Sequence, residues 1–275
     1  MVKKLISNIT TYMLLLFVVI ISLGPITWVI ISSMKTSREI LSSPFTLPAS
    51  FNLSGYINVI ETTGIMTNFF NSFLITTGAV IIALVIYSPA AYAFAKYDFK
   101  FKNVLFIVLA LTLLIPGHAV SQPVFALINT LGLYNTRLGL IFVYVARGLA
   151  ISLLILRASF YTVPKELDMA ASIDSANFWQ TYYLINLPLI KPGLATAAVL
   201  IFLQTWNEFY FGIILTTSSA IRTLPVALRF LSDTLSYNYT NLFAAIVITA
   251  VPSIIVYICI QEKVQESFVT SGIKG

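Results

Sequence analysis

Long, unbroken apolar runs recur at residues 10–33, 70–95, 104–128, 138–160, 194–215 and 242–261, and they leave this chain few folds. An α-helix needs about 20 such residues to cross the hydrocarbon of a bilayer, where no water is present to satisfy backbone N–H and C=O groups. A transmembrane barrel would alternate apolar and polar residues in segments of about ten, a pattern these runs lack. The expectation is an all-α membrane protein with six transmembrane helices. Composition agrees: 58% of residues are hydrophobic and 9% charged, against about 25% charged in an ordinary soluble domain. The basic start, MVKK, precedes an apolar stretch too long for the h-region of a signal peptide, so residues 10–33 read as a retained first span.

Basic residues are retained on the cytoplasmic side of a membrane. Alternate gaps place Lys3, Lys4, Lys96, Lys100, Lys102, Arg157, Lys165, Lys191, Lys263 and Lys274 on one side, and Lys35, Arg38, Arg137, Arg222 and Arg229 on the other. Both termini are therefore expected inside, residues 34–69 and 216–241 outside, and residues 164–192 as the longest internal cytoplasmic loop. No gap is long enough to bury a core and no Pro-rich or Gly/Ser-rich linker divides the chain, so 1–275 reads as one membrane domain. The net charge of +6 is spread through short gaps without the interleaved aromatics of a nucleic-acid surface, and no nucleic-acid partner is expected. Cys259 has no second cysteine and His118 no second ligand at metal spacing, so neither a disulfide nor a metal site is expected. No GxxxxGK[ST] stretch is present; the chain is expected to bind no cofactor and any ATP to be used by a partner.

The polar stretch from Pro164 to Pro192 is the most informative gap. Thr162 can cap a helix with Pro164 in its first turn and Glu166 and Asp168 near the positive end of its dipole. Met169, Ala170, Ile173 and Ala176 then form a narrow apolar face of mainly small side chains. Asn177 and Gln180 have the spacing of a capping box, so a second helix is expected after a turn near Ser175, ending at Pro188 and Pro192. From composition alone this is either an amphipathic loop on the lipid headgroups or a surface on which another protein docks.

Pro164-Lys165-Glu166-Leu167, Ala170-Ala171, Ile173-Asp174, Ala176, Leu187-Pro188-Leu189 and Pro192 resemble the EAA loop of permease subunits of bacterial ATP-binding-cassette importers. Residues 91–96 (AYAFAK), 132–141 (GLYNTRLGLI), 206–209 (WNEF), 223–226 (TLPV) and 272–275 (GIKG) extend the resemblance to the carbohydrate-uptake branch, within which the chain is similar to the smaller permease of the maltose system. The resemblance implies a sugar importer in the bacterial cell membrane with a heterodimeric pore. This chain and a second permease would form the pore, two ATPase subunits would use ATP and Mg, and an extracellular solute-binding protein would deliver the sugar. It implies that residues 161–193 are the coupling loop, with Glu166, Leu167, Ala170, Ala171, Asp174 and Ala176 contacting or positioning the ATPase. The family's usual glutamate is Met169 here and its usual glycine is Ser175. The resemblance further implies that the 216–241 gap, with Arg222, Arg229 and Asp233, meets the binding protein, and that the GIKG terminus reaches the ATPase interface.

Gln204, Asn207 and Glu208 lie inside the fifth span, and Arg147 inside the fourth. Ionisable groups there are costly and face the bundle interior or a water path. Gln204 and Glu208, one turn apart, are expected on one face, either lining a pore or joining helices, and Glu208 is the obvious partner for Arg147. His118 follows Pro116-Gly117, where a kink is expected. An ion-gradient carrier would instead show internal repeats with broken helices and an acidic mid-membrane site; an intramembrane enzyme would need a nucleophile with a base, or a metal cluster.

Overall fold

The computed structural model describes residues 2–234 and 238–272, with side chains over 8–233, 238–259 and at 261. The expected roles of residues 273–275 and of the tail side chains lie outside the described residues. Every regular element among them is helical: α1 Val2–Ser32, α2 Ser37–Ser42, α3 Ser54–Thr62, α4 Ile65–Lys96, α5 Lys102–Leu111, α6 Ser121–Thr130, α7 Arg137–Thr162, α8 Lys165–Ile173, α9 Phe178–Gln180, α10 Leu187–Leu189, α11 Lys191–Trp206, α12 Tyr210–Leu215, α13 Leu224–Thr234 and α14 Tyr239–Gly272. A π-helical stretch, Thr181–Asn186, joins α9 and α10 into one rod.

Four helical stretches are long and apolar enough to cross a bilayer: Asn8–Ser32, Ile65–Lys96, Arg137–Thr162 and Tyr239–Cys259. Two further pairs qualify only with a sharp bend inside the span. Lys102–Leu114 and Gly117–Thr130 meet at 101°, and Phe178–Leu189 and Lys191–Trp206 at 80°. Neither 104–128 nor 194–215 is therefore one continuous helix: the first is interrupted at 115–116 and the second at 207–209, while the 80° bend lies at Ile190, ahead of the second segment. In the third segment Pro116 lacks an N–H and holds Ile115 in extended backbone, ψ 115°. In the fifth, α11 stops at Trp206 and α12 starts at Tyr210, with Glu208 in the break.

The chain divides into two compact units, Met1–Met66 with Ala227–Val251, and Thr67–Val226 with Pro252–Gly275. In the first, α1 exposes its apolar side chains all along 8–27. Such a surface suits lipid or another apolar chain. Beyond α1, Lys35 is fully buried, and its ammonium donates to the carbonyls of Ser43 (3.1 Å) and Pro44 (3.2 Å). Trp28 Nε1 donates to the same Pro44 carbonyl at 2.8 Å, which ties the turn after α2 back to α1.

In the second unit α7 is the central post, with 56% of its apolar window buried. Thr136 caps it by accepting the Gly139 N–H, and Val163 follows it in extended backbone, as a residue before proline must. Small residues let neighbours approach closely: Gly148 lies against Ile201 of α11, Gly193 against Ser159, and Gly78 of α4 against Ile141. Lipid tails are as apolar as leucine, so close packing holds such helices together, not exclusion of water.

Candidate functional site

At the end of α7, two short helices follow, α8 and the Phe178–Leu189 rod. The Thr162 cap is not made. Thr162 is the last residue of α7 and its hydroxyl donates to the Ser159 carbonyl at 2.8 Å, while Pro164 takes the N-cap position with no side-chain bond. The extended backbone at Val163 starts the new helix too late for Thr162 to reach it. The second cap forms as its spacing requires: the Gln180 N–H donates to Asn177 Oδ1 at 3.0 Å and the Asn177 N–H to Gln180 Oε1 at 2.8 Å.

The turn between the helices is left-handed at Ser175, φ 58°, a conformation in which a Cβ crowds the backbone. Ser175→Gly is expected to raise stability by about 0.5–1 kcal/mol, read as a higher unfolding midpoint of the purified chain. An unchanged midpoint would mean that the stiffer serine offsets its strain through the unfolded state.

On α8 and its turn, Glu166, Leu167, Met169, Ala170, Asp174 and Ser175 are exposed, Ala176 is half-buried and Ala171 is buried. Of its large apolar side chains Ile173 is the most open, at 84%. Ala171 therefore seats α8 on its own chain, and the free face is formed by the side chains around Met169 and Ile173.

Sequence patterning missed a junction beneath this face. Lys96, the last residue of α4, pairs with Asp168 Oδ2 at 2.8 Å, and Asn186 Nδ2 donates to Asp168 Oδ1 at 2.6 Å. Lys96 counts only as one more cytoplasmic cation in the sequence, and Asp168 only as a first-turn acid. Their pairing across the fold leaves no periodic trace.

Midway along the unit, the expected pairing of Arg147 with Glu208 is present, at 3.6 Å. Glu208 is buried. Its Oε2 accepts the Tyr144 hydroxyl (2.9 Å) and the Gly212 N–H (3.1 Å), and its Oε1 the Phe211 N–H (3.0 Å). One carboxylate thus satisfies the opening amides of α12 and faces a guanidinium. The one-turn spacing expected to put Gln204 and Glu208 on one helix face does not apply, because α11 ends at Trp206. Gln204 instead lines a cavity of about 430 Å³ together with Arg147, Gly117, Phe142 and Phe211. Asn207 Nδ2 donates to the Leu203 carbonyl at 2.8 Å and to Ser253 Oγ at 3.4 Å, and the His118 ring meets Tyr210 edge-on at 4.0 Å. Among the described residues, no group of three or more His, Cys, Asp and Glu side chains is arranged to hold a metal ion.

At the other end of α4 a second polar cluster holds residues 216–224. Asn68 and Asn71 each donate to the Arg222 carbonyl at 3.1 Å, and Arg137 Nε donates to Asn71 Oδ1 at 2.8 Å. The Thr217 and Ser218 N–H groups both donate to Asn135 Oδ1 at 2.9 Å. Arg222 itself closes the turn, donating to the Thr217 carbonyl at 3.0 Å. Arg229 and Asp233 are brought together as an exposed i,i+4 pair on α13, a helix within what the sequence presents as a plain gap.

Long apolar helices, with a polar break and a pair of short helices among them, define a multi-pass helical membrane protein. The family described as binding-protein-dependent transport system inner membrane component matches residues 87–268. The chain belongs to that family, whose members are transport components and not enzymes. It is 33% identical to the diacetylchitobiose uptake system permease protein of Streptomyces coelicolor, over 94% of this chain and 86% of the relative. It is 31% identical to the arabinooligosaccharides transport system permease protein of Halalkalibacterium halodurans, over 99% of this chain and 100% of the relative. Among solved structures, a bacterial ABC transporter involved in import of the acidic polysaccharide alginate is similar with a TM-score of 0.83 and 25% identity, covering 94% of this chain and 97% of that one.

Proposed function

We propose that this permease is one half of a heterodimeric pore through which a bacterial ATP-driven importer takes up carbohydrate, with oligosaccharides as the substrate class. The observation that carries the reading is the near full-length similarity to permeases named for diacetylchitobiose and arabinooligosaccharides. The charge in the cavity wall supports a neutral sugar: Arg147, which lines it, is opposed by Glu208 at 3.6 Å, so no unbalanced positive charge awaits an anion. In this reading 1–275 is a single transmembrane domain with six crossings, the third and fifth of them broken, and both termini in the cytoplasm. A second permease, two ATPase subunits that use ATP and Mg, and an extracellular solute-binding protein complete the assembly. The 216–224 segment, held by Asn68, Asn71 and Asn135, is a surface for the binding protein; Arg229 and Asp233, in the other unit, are separate contacts for it.

In α8 and its turn, the residues that dock the ATPase or position it are Glu166, Leu167, Met169, Ala170, Ala171, Asp174, Ser175 and Ala176, which leaves Lys165 outside the docking face. ATP closes the ATPase pair, the coupling helices move, and the bundle alternates its access; each state must differ in its affinity for ATP and for the loaded binding protein. In proteoliposomes holding the full assembly, uptake of labelled oligosaccharide is expected to stop on ATP depletion and to continue when ion gradients are collapsed. The reverse pattern would overturn the reading. Ile173→Asp places a charge on the free face without touching the folded interior. It is expected to insert normally and to lose the ATPase on affinity purification, and retention of the ATPase at the wild-type level would remove α8 as the docking surface.

A further inference from the structure

Lys96 lies where three helices end or begin. Its side chain is 4% exposed; its ammonium forms an ion pair with Asp168 Oδ2 at 2.8 Å and donates to the Val163 carbonyl, just past α7, at 2.7 Å. Asp168 is in the first turn of α8. Its second oxygen is taken by Asn186, which is fully buried in the π-helical stretch and also donates to the Thr181 carbonyl at 3.3 Å. The charges agree with the helix dipoles, a cation at the C-terminal end of α4 and an anion at the N-terminal end of α8. Aromatic rings seal the junction: Tyr92 of α4 meets Phe160 at 5.2 Å, Phe178 at 5.1 Å and Tyr182 at 5.4 Å. A buried ion pair adds little net stability, but removing one partner strands the other charge. What it supplies is fixed geometry.

We propose that Lys96, Asp168 and Asn186 are positioning residues that lock α8 and the Phe178–Leu189 rod to the end of α4. A displacement of α8 is then delivered to α4 as one rigid body and is not absorbed in the turns at 163–164 and 174–177. The inference rests on the reading that α8 docks the ATPase. Without the junction, the two turns could flex while the spans stayed still. With it, the ion pair, the Asn186 hydrogen bond and the packed rings tie both turns to the end of α4, and packed elements of this kind switch between discrete arrangements instead of deforming. Breaking the joint should therefore uncouple the transporter without undocking it.

The test uses the assembled importer in lipid, with Cys259→Ser and spin labels at Asp98→Cys and Lys165→Cys, both exposed positions. Asp98 pairs only with Lys102 at the surface, an interaction worth little. The label separation is expected to be the same in the nucleotide-free and ATP-trapped states; a change of more than about 2 Å, the size of an ordinary helix shift, would overturn the proposal. In Lys96→Met the ATPase should still copurify while solute moved per ATP falls by about tenfold, within the usual range of coupling. Lys96→Arg should keep the wild-type ratio. An unchanged ratio in Lys96→Met also overturns the joint, and if that variant does not assemble, the separation measured in the Lys96 protein decides. Failure of the ATPase to copurify with the wild-type chain would sink the docking reading itself. Copurification with a state-dependent separation would sink only the joint.

Discussion

Glu208→Ala is expected to cost about 3–5 kcal/mol of folded stability, because three buried donors lose their acceptor at about 1–3 kcal/mol each. The carboxylate faces Arg147 and also accepts the Tyr144 hydroxyl and the N–H groups of Phe211 and Gly212. Alanine leaves all of these without their acceptor in a region where water is scarce. Glu208→Gln keeps an acceptor for the amides but loses the charge opposite the guanidinium, and should cost less, about 1–3 kcal/mol. Denaturant unfolding in mild detergent, followed by the fluorescence of buried Trp206, measures both. Equal losses would mean that the Arg147 pairing dominates and the helix-opening bonds matter little. An alanine variant as stable as wild type would mean that the break at 207–209 does not depend on the carboxylate. Tyr144→Phe, which removes one donor and leaves the charge, supplies the third corner for dividing the effect.

The same residue shows where sequence patterning stops. Hydropathy finds the apolar stretches because lipid demands them, and the Asn177–Gln180 cap is legible because both partners lie within one turn. The left-handed turn at Ser175 is also legible, as a departure from a glycine expected by resemblance. The break at Asn207–Phe209 is not. It contains neither proline nor glycine, and it forms because a glutamate side chain competes for amides that a continuous helix would use. The bend at Pro116 carries a signal, but a proline alone does not distinguish a kink from a turn of 101°. Lys96 and Asp168 are 72 positions apart, and only the folded bundle makes them neighbours. The polar cluster at the opposite end of α4 was hidden for the same reason, since Asn71 and Arg137 belong to different helices.

Gly139→Val is expected to destabilise the second unit by about 3 kcal/mol, the upper part of the range for overpacking a tight site, whereas Gly148→Ala, in the same helix, should change stability by less than about 1 kcal/mol. The two glycines look alike in sequence. A methyl on Gly148 would meet Ile201 at 3.6 Å, an ordinary contact, and would gain helix propensity. A methyl on Gly139 would fall on the backbone carbonyl oxygen of Leu133, which cannot rotate away. That carbonyl accepts the Thr136 hydroxyl at 2.7 Å, and Thr136 Oγ1 in turn accepts the Gly139 N–H at 3.1 Å, so displacing it dismantles the cap of α7. The damage should spread, because the neighbouring Asn135 has φ 57° and anchors residues 215–218 through its backbone N–H and its side-chain oxygen. Limited proteolysis should therefore open the 216–224 segment in Gly139→Val before the rest of the chain unfolds. Protection equal to wild type, with a lowered midpoint, would separate the cap of α7 from the proposed binding-protein surface. Equal midpoints for Gly139→Val and Gly148→Ala would mean that the 133–139 turn relaxes more readily than its bonded backbone implies.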